Sequence, residues 1–137
     1  MIYESGRSLE YSKRVRKIKK KGNNKMEQQV SIQDHYLWID MPVELDHNVA
    51  EAIRKEADVQ MMQESVENIV FDFSKTQFMD SSGIGLIVGR YKKIQCLGGE
   101  VLVVHASRRI QQMFYMAGLK EFVHIVEIGR ASCRERV

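Results

Sequence analysis

Cysteine is scarce in this chain. Cys96 and Cys133 are the only two and stand in no metal-ligand spacing, so neither a disulfide framework nor a zinc site is indicated. No stretch approaches the roughly 20 apolar residues of a membrane span. The N-terminal stretch is basic but lacks the apolar segment of a secretory signal. The histidines His35, His47, His105 and His124 are scattered, so no catalytic triad and no metal constellation can be read from them. Proline occurs once, as Pro42. These absences leave a soluble cytoplasmic protein as the expectation, with no metal, no cofactor and no membrane. A length of 137 residues suits one domain able to bury a real core.

What is abundant is charge, and it is unevenly placed. The formal charge is +3 and the pI about 8.9. Residues 1–25 carry nine Lys/Arg against Glu4 and Glu10, a net +7, and residues 128–137 carry +2. Taking both ends from +3 leaves −6 for residues 26–127. An acidic body repels phosphate backbones, so no direct nucleic-acid partner is expected. The basic pI belongs to the ends, and both look foreign to the fold. Residues 1–25 show no apolar period and have a disordered composition. Lys21-Gly22 can be encoded as a ribosome-binding sequence a few codons ahead of Met26, so the segment is expected to be translated leader, with Met26 the true start; the rival reading is a genuine basic arm. Residues 128–137 resemble a translated sequencing adapter and are set aside from fold reasoning. The domain is therefore expected to span residues 26–127.

Within that body the hydrophobic periods alternate. Val30, Ile32 and then Tyr36-Leu37-Trp38-Ile39 predict two short strands joined near Asp34-His35, with Pro42 ending the second. A helix follows, N-capped by Asp46, with Val49, Ala50, Ile53, Ala57 and Met61 on one face and Glu51, Arg54, Lys55 and Glu64 on the other. Asn68–Phe73 reads as a buried strand and Ser74–Met79 as a loop. The next helix runs from Ser81 to about Leu97 and is stopped by Gly98-Gly99. Glu100–His105 is a further strand. Ser107 caps a short helix carrying Ile110, Met113, Phe114 and Met116 that Gly118 ends, and Phe122–Val126 is the last strand. The order ββαβαβαβ predicts an α/β fold: a small mixed sheet of about five strands with parallel crossovers and helices packed on it.

The stretch Phe78-Met79-Asp80-Ser81-Ser82-Gly83-Ile84-Gly85 is the candidate site. It joins a buried strand to an amphipathic helix. Asp80 is placed to cap that helix, and Ser81 and Ser82 then lie where free amides and the positive end of the helix dipole point outward. The simplest reading of the serines is as capping hydroxyls. Gly83, beyond them, would allow close approach by another backbone. A nucleophile elbow requires glycine two residues before the serine, and Met79 stands there. Gly83, Gly85 and Gly89 give G-x-G-x-x-x-G, one residue off the dinucleotide fingerprint and distant from the strand, and are read instead as close packing of helix on sheet.

Residues 30–127 resemble the anti-sigma factor antagonists, small single-domain proteins of the STAS fold, and the match is close to the anti-sigma F factor antagonists of endospore-forming Firmicutes. The carriers are Glu44-Leu45-Asp46-His47, the octet from Phe78 to Gly85, Gly89-Arg90-Tyr91-Lys92, Gly98-Gly99-Glu100 and Met116-Ala117-Gly118-Leu119. The resemblance implies a regulator rather than an enzyme. Its unphosphorylated form would bind an anti-sigma factor, itself a serine kinase of the GHKL type, and so release the sigma factor. Phosphorylation of Ser81 would end that binding until a metal-dependent serine phosphatase restored it. Asp46, Asp80, Ser81, Ser82, Gly83, Ile84 and Gly85 are the implied partner-binding residues, and a monomer is expected. Alternatives are a STAS regulator of another partner-switching pathway, such as a stress response, and a nucleotide-binding protein built on Gly83-Ile84-Gly85. Two departures from the family pattern stand out. Met41-Pro42-Val43 replaces a small residue plus Gly before Glu44, and the family's last helix is missing, the adapter-like tail standing in its place.

Overall fold

A computed structural model describes residues 29–126. The expectations for a leader at 1–25, a start at Met26 and a tail at 128–137 lie outside the described residues. Strands β1 (Val30–Gln33) and β2 (Tyr36–Asp40) form an antiparallel hairpin. Its two loop residues, Asp34 and His35, both have positive φ, 55° and 68°. Left-handed backbone at both positions matches the right-handed twist of the strands, as tight hairpins require.

The chain continues through β3 (Glu44–Leu45), α1 (His47–Gln63), β4 (Asn68–Asp72), β5 (Phe78–Met79), α2 (Ser81–Cys96), β6 (Glu100–Val104), α3 (Arg108–Met116), a 3-10 turn at Leu119–Glu121, and β7 (Val123–Val126). The main sheet has the order β1-β2-β4-β6-β7, with only β1 antiparallel. The expected mixed α/β sheet is therefore present. From β2 onward each crossover steps to the next strand in the same direction, which places successive right-handed crossovers on one face. Accordingly Ala50, Ile53 and Ala57 of α1, Leu86, Ile87 and Ile94 of α2, and Ile110 and Phe114 of α3 share one core with Leu37, Ile39, Ile69, Phe71, Val101 and Val103. The alternate strand residues Tyr36, Trp38, Val70, Leu102, Val104 and Val126 form a second buried cluster on the other face.

Helix ends follow the local chemistry of the sequence. The N–H of Gly98 (φ 84°) donates to the Gln95 carbonyl and that of Gly99 to the Ile94 carbonyl, both at 2.9 Å, closing a Schellman motif on α2. Gly99 also has no room for a side chain, because a Cβ there would run into the Glu67 carbonyl. Ser107 caps α3, its side chain accepting from the Ile110 amide at 3.2 Å. Three expectations need correction. The segment Ser74–Met79 is not all loop, since Phe78–Met79 forms β5. Met116 is 85% exposed rather than packed, because the apolar stripe of α3 is already filled by Ile110 and Phe114. Phe122 precedes the last strand and leans on Tyr91, ring centroids 5.3 Å apart.

Candidate functional site: two helix N-termini side by side

The site is organised by an element with no periodic signature. β3 and β5 are two residues each and pair in parallel, Glu44 with Phe78 and Leu45 with Met79. Leu45 and Met79 are buried while Glu44 and Phe78 face solvent, as the alternation of a strand demands. On each strand the next residue is a helix N-cap. Asp46 Oδ1 accepts from the Val49 amide at 3.0 Å and Asp80 Oδ1 from the Ser82 amide at 2.8 Å. The Asp80 amide in turn donates to the Leu45 carbonyl at 3.4 Å. The ribbon therefore sets the starts of α1 and α2 next to each other, and brings Asp46 to the Ser81 end of α2 although 34 residues separate the two caps.

Ser81 is the first residue of α2 and is exposed. Capping is done by the Asp80 carboxylate, so the hydroxyls of Ser81 and Ser82 are not what caps the helix. Ser82 is half-buried, Ile84 is half-buried against the core, and Gly85 and Asp46 are exposed. Gly83 follows the close-packing reading and not that of an opening for another backbone. It is buried, and a Cβ there would lie 2.5 Å from Met79 Cγ and 2.8 Å from Leu45 Cδ2. Its missing side chain is used inside the domain, to let α2 settle on the ribbon, and not to admit a partner's backbone. Gly85 and Gly89 have nothing within 4 Å of their Cβ positions, so the close packing of helix on sheet expected of them is not found, and both leave open space. All three glycines of G-x-G-x-x-x-G lie within α2 itself rather than in a strand-to-helix turn. Beyond the first turn their amides are committed to the helix, which is not the geometry of a phosphate-cradling loop.

The other face of α2 carries an ion cluster. Arg90 is buried, and its Nη2 lies 3.3 Å from Asp58 Oδ1 of α1. Arg54 and Lys93 share the same carboxylate group, at 3.6 and 3.3 Å. Burial pushes the Arg90 pKa below the usual guanidinium range, and Asp58 opposes that shift. Glu51 is held below the ordinary carboxylate range by its hydrogen bonds from Arg54. Among the described residues no three His, Cys, Asp or Glu side chains gather as metal ligands, and no helix is long and apolar enough to cross a membrane.

Residues 27–128 match the STAS domain family. The chain belongs to that family. An anti-sigma F factor antagonist of Paenibacillus polymyxa is 34% identical to this STAS domain over 104 residues, 74% of this chain and 89% of that protein. The anti-sigma factor antagonist SpoIIAA in its unphosphorylated form superposes with a TM-score of 0.67 at 27% identity, over 79% of this chain and 93% of that one. The Bacillus cell fate determinant SpoIIAA in the phosphorylated form superposes with a TM-score of 0.63 at 27% identity, over 79% and 96%. The signal that would have revealed the ribbon from this STAS sequence is a repeated triplet. Glu44-Leu45-Asp46 and Phe78-Met79-Asp80 both read exposed, buried, cap, each running straight into a helix.

Proposed function

We propose that this STAS domain is an anti-sigma factor antagonist that works by partner switching, with Ser81 as its phosphorylation site. The observation that carries the assignment of the site is the placement of an exposed serine at the first position of α2, beside two capping carboxylates. The unphosphorylated domain binds an anti-sigma factor that is a serine kinase, and the sigma factor is released. Asp46, Asp80, Ser82, Ile84 and Gly85 contribute the surface around the hydroxyl. Phosphorylation adds roughly −1.5 to −2 charge at Ser81. A helix N-terminus tolerates that charge, so the domain stays folded. The interface does not tolerate it. Burying an anion without a partner costs several kcal/mol, and each ~1.4 kcal/mol is tenfold in affinity. Binding is therefore lost until a serine phosphatase removes the group.

The test is incubation with an anti-sigma kinase and ATP, followed by mapping of the modified residue. Phosphate on Ser81 is expected. Ser81→Ala binds the kinase and accepts no phosphate, whereas Ser81→Asp folds normally and binds at least a hundredfold more weakly, from the energies above. Phosphate found on another residue, or full affinity in Ser81→Asp, refutes the assignment.

A further inference from the structure

Both faces of the main sheet are buried, yet the helices pack on only one. Tyr36, Trp38, Val70, Leu102, Val104 and Val126 make up the second cluster, and every one of them is a strand residue. Val70, Leu102 and Val104 are 0% exposed and Trp38 is 6% exposed. Strand side chains stand up from the sheet, so their tips are covered by a second layer and not by their neighbours in the ladder. α1, α2 and α3 supply that layer to the first cluster and contribute no residue to this one. The second face is also acidic. Asp40, Asp72 and Glu100 share the alternation of Trp38, Val70 and Leu102, so all three lie on this side. Asp40 and Asp72 are register partners, and Trp38 Nε1 donates to Asp40 Oδ1 at 3.4 Å. Asp72 is 1% exposed and accepts from the Ser74 amide at 3.0 Å. Such a face suits a cover that is itself both apolar and cationic. Among the described residues every Lys and Arg except Lys75 and Lys120 lies on the three helices, across the sheet from it.

We infer that residues 1–25 are the layer over this face, a basic arm docked across β2, β4, β6 and β7. Three features of the chain select it. The charge fits, since the arm carries +7 against −6 for the body, with Leu9, Tyr11, Val15 and Ile18 set among its cations. The point of departure fits. The Asp40 amide donates to the Gln29 carbonyl at 2.8 Å and Gln29 Nε2 donates to the Asp40 carbonyl at 3.2 Å, so the chain ahead of β1 leaves the sheet beside the Asp40–Asp72 pair. The length fits as well. Four strand spacings of about 4.8 Å separate β1 from β7, about 19 Å in all. Residues 1–25 span about 38 Å even at the helical rise of 1.5 Å each. Residues 128–137 reach about 15 Å on the same measure and bring only +2. The segment is then a genuine basic arm and not a leader without a place in the fold. Because α2 packs on the opposite face, the arm leaves Ser81 exposed.

Trp38 is the only tryptophan of the chain, so its fluorescence reports on this face alone. The experiment compares its emission and its quenching by acrylamide in the full chain, in a chain starting at Met26 and in a chain ending at Glu127, with far-UV circular dichroism as the check on folding. The expected result is red-shifted emission and several-fold stronger quenching on loss of the arm, and neither on loss of the tail. In the unmodified full chain, carbodiimide coupling of lysines to carboxylates, mapped by mass spectrometry, is expected to join a lysine of residues 13–25 to Asp40 or Glu100. That map does not depend on whether a shortened chain folds. A folded chain from Met26 whose Trp38 is as protected as in the full chain overturns the inference. Loss of protection on removing the tail instead also overturns it, as does protection that disappears on dilution, which assigns the face to a second copy of the chain. A map in which the arm lysines couple only to carboxylates of α1 and α2, or to none, overturns it too.

Discussion

Gly83→Ala and Gly85→Ala place the same methyl group two positions apart on one helix, and they are expected to move stability in opposite directions. Alanine in a helix gains about 0.5–1 kcal/mol over glycine through lower backbone entropy in the unfolded chain. At Gly85 that is the whole effect, because nothing lies within 4 Å of the added Cβ. At Gly83 the methyl meets Met79 Cγ at 2.5 Å, Met79 Sδ at 2.6 Å and Leu45 Cδ2 at 2.8 Å. Two of those atoms are the middle of a side chain that is itself buried, so the ribbon or the helix has to move. Overpacking of this kind costs about 1–3 kcal/mol, and the helix-propensity gain offsets only part of it. For a domain of about 100 residues 1 kcal/mol shifts Tm by roughly 4–8 °C. Thermal and urea unfolding should therefore show Gly83→Ala melting roughly 5–15 °C lower and Gly85→Ala roughly 2–6 °C higher than wild type. In a Met79→Ala background the penalty of Gly83→Ala should shrink, and a double-mutant cycle measures that coupling. If Gly83→Ala is as stable as wild type, the close packing of α2 on the ribbon is not what requires glycine there.

The ion cluster between α1 and α2 gives an asymmetric prediction. Asp58→Ala leaves the buried Arg90 charge without a counterion and should cost about 2–4 kcal/mol in urea unfolding, whereas Arg90→Met removes the charge and should be neutral or stabilising. Equal losses in the two variants would show that the pair stabilises the fold in its own right. For the exposed Glu51–Arg54 pair the effect is confined to acid. The Glu51 pKa is depressed in the folded state, so the pair's contribution is present above the ordinary carboxylate value and fades as pH falls through the depressed one. Glu51→Gln should therefore match wild type at low pH and differ from it only above that range, with the difference shrinking in high salt.

The local chemistry of this chain was legible from its residues. Asp46, Asp80 and Ser107 announced three helix starts, because each is a short side chain able to accept from amides that a first turn leaves free. Gly98 and Gly118 announced two stops, because only glycine takes positive φ cheaply where the helix must turn away. The strands Tyr36–Asp40, Asn68–Asp72 and Glu100–Val104 were visible as apolar runs, buried on both faces of a largely parallel sheet. From these the order of elements, the fold class and the exposed Ser81 followed.

Position in three dimensions was decided only by the packing of distant segments. A strand of two residues has no period, so β3 and β5 are defined by the hydrogen bonds each supplies to the other, and the repeated triplet ending in a cap is the one trace of that pairing in the sequence. That pairing is what sets Asp46 beside the Ser81 helix and turns Glu44 and Phe78 outward together. It also divides the glycines: Gly83 and Gly85 are alike in sequence, yet one is covered by Met79 and Leu45 and the other by nothing. Arg90, a charge that sequence alone would leave in solvent, is buried because α1 brings Asp58 to it. Residues near in sequence fix backbone conformation, but which surface is covered depends on what the rest of the chain lays against it.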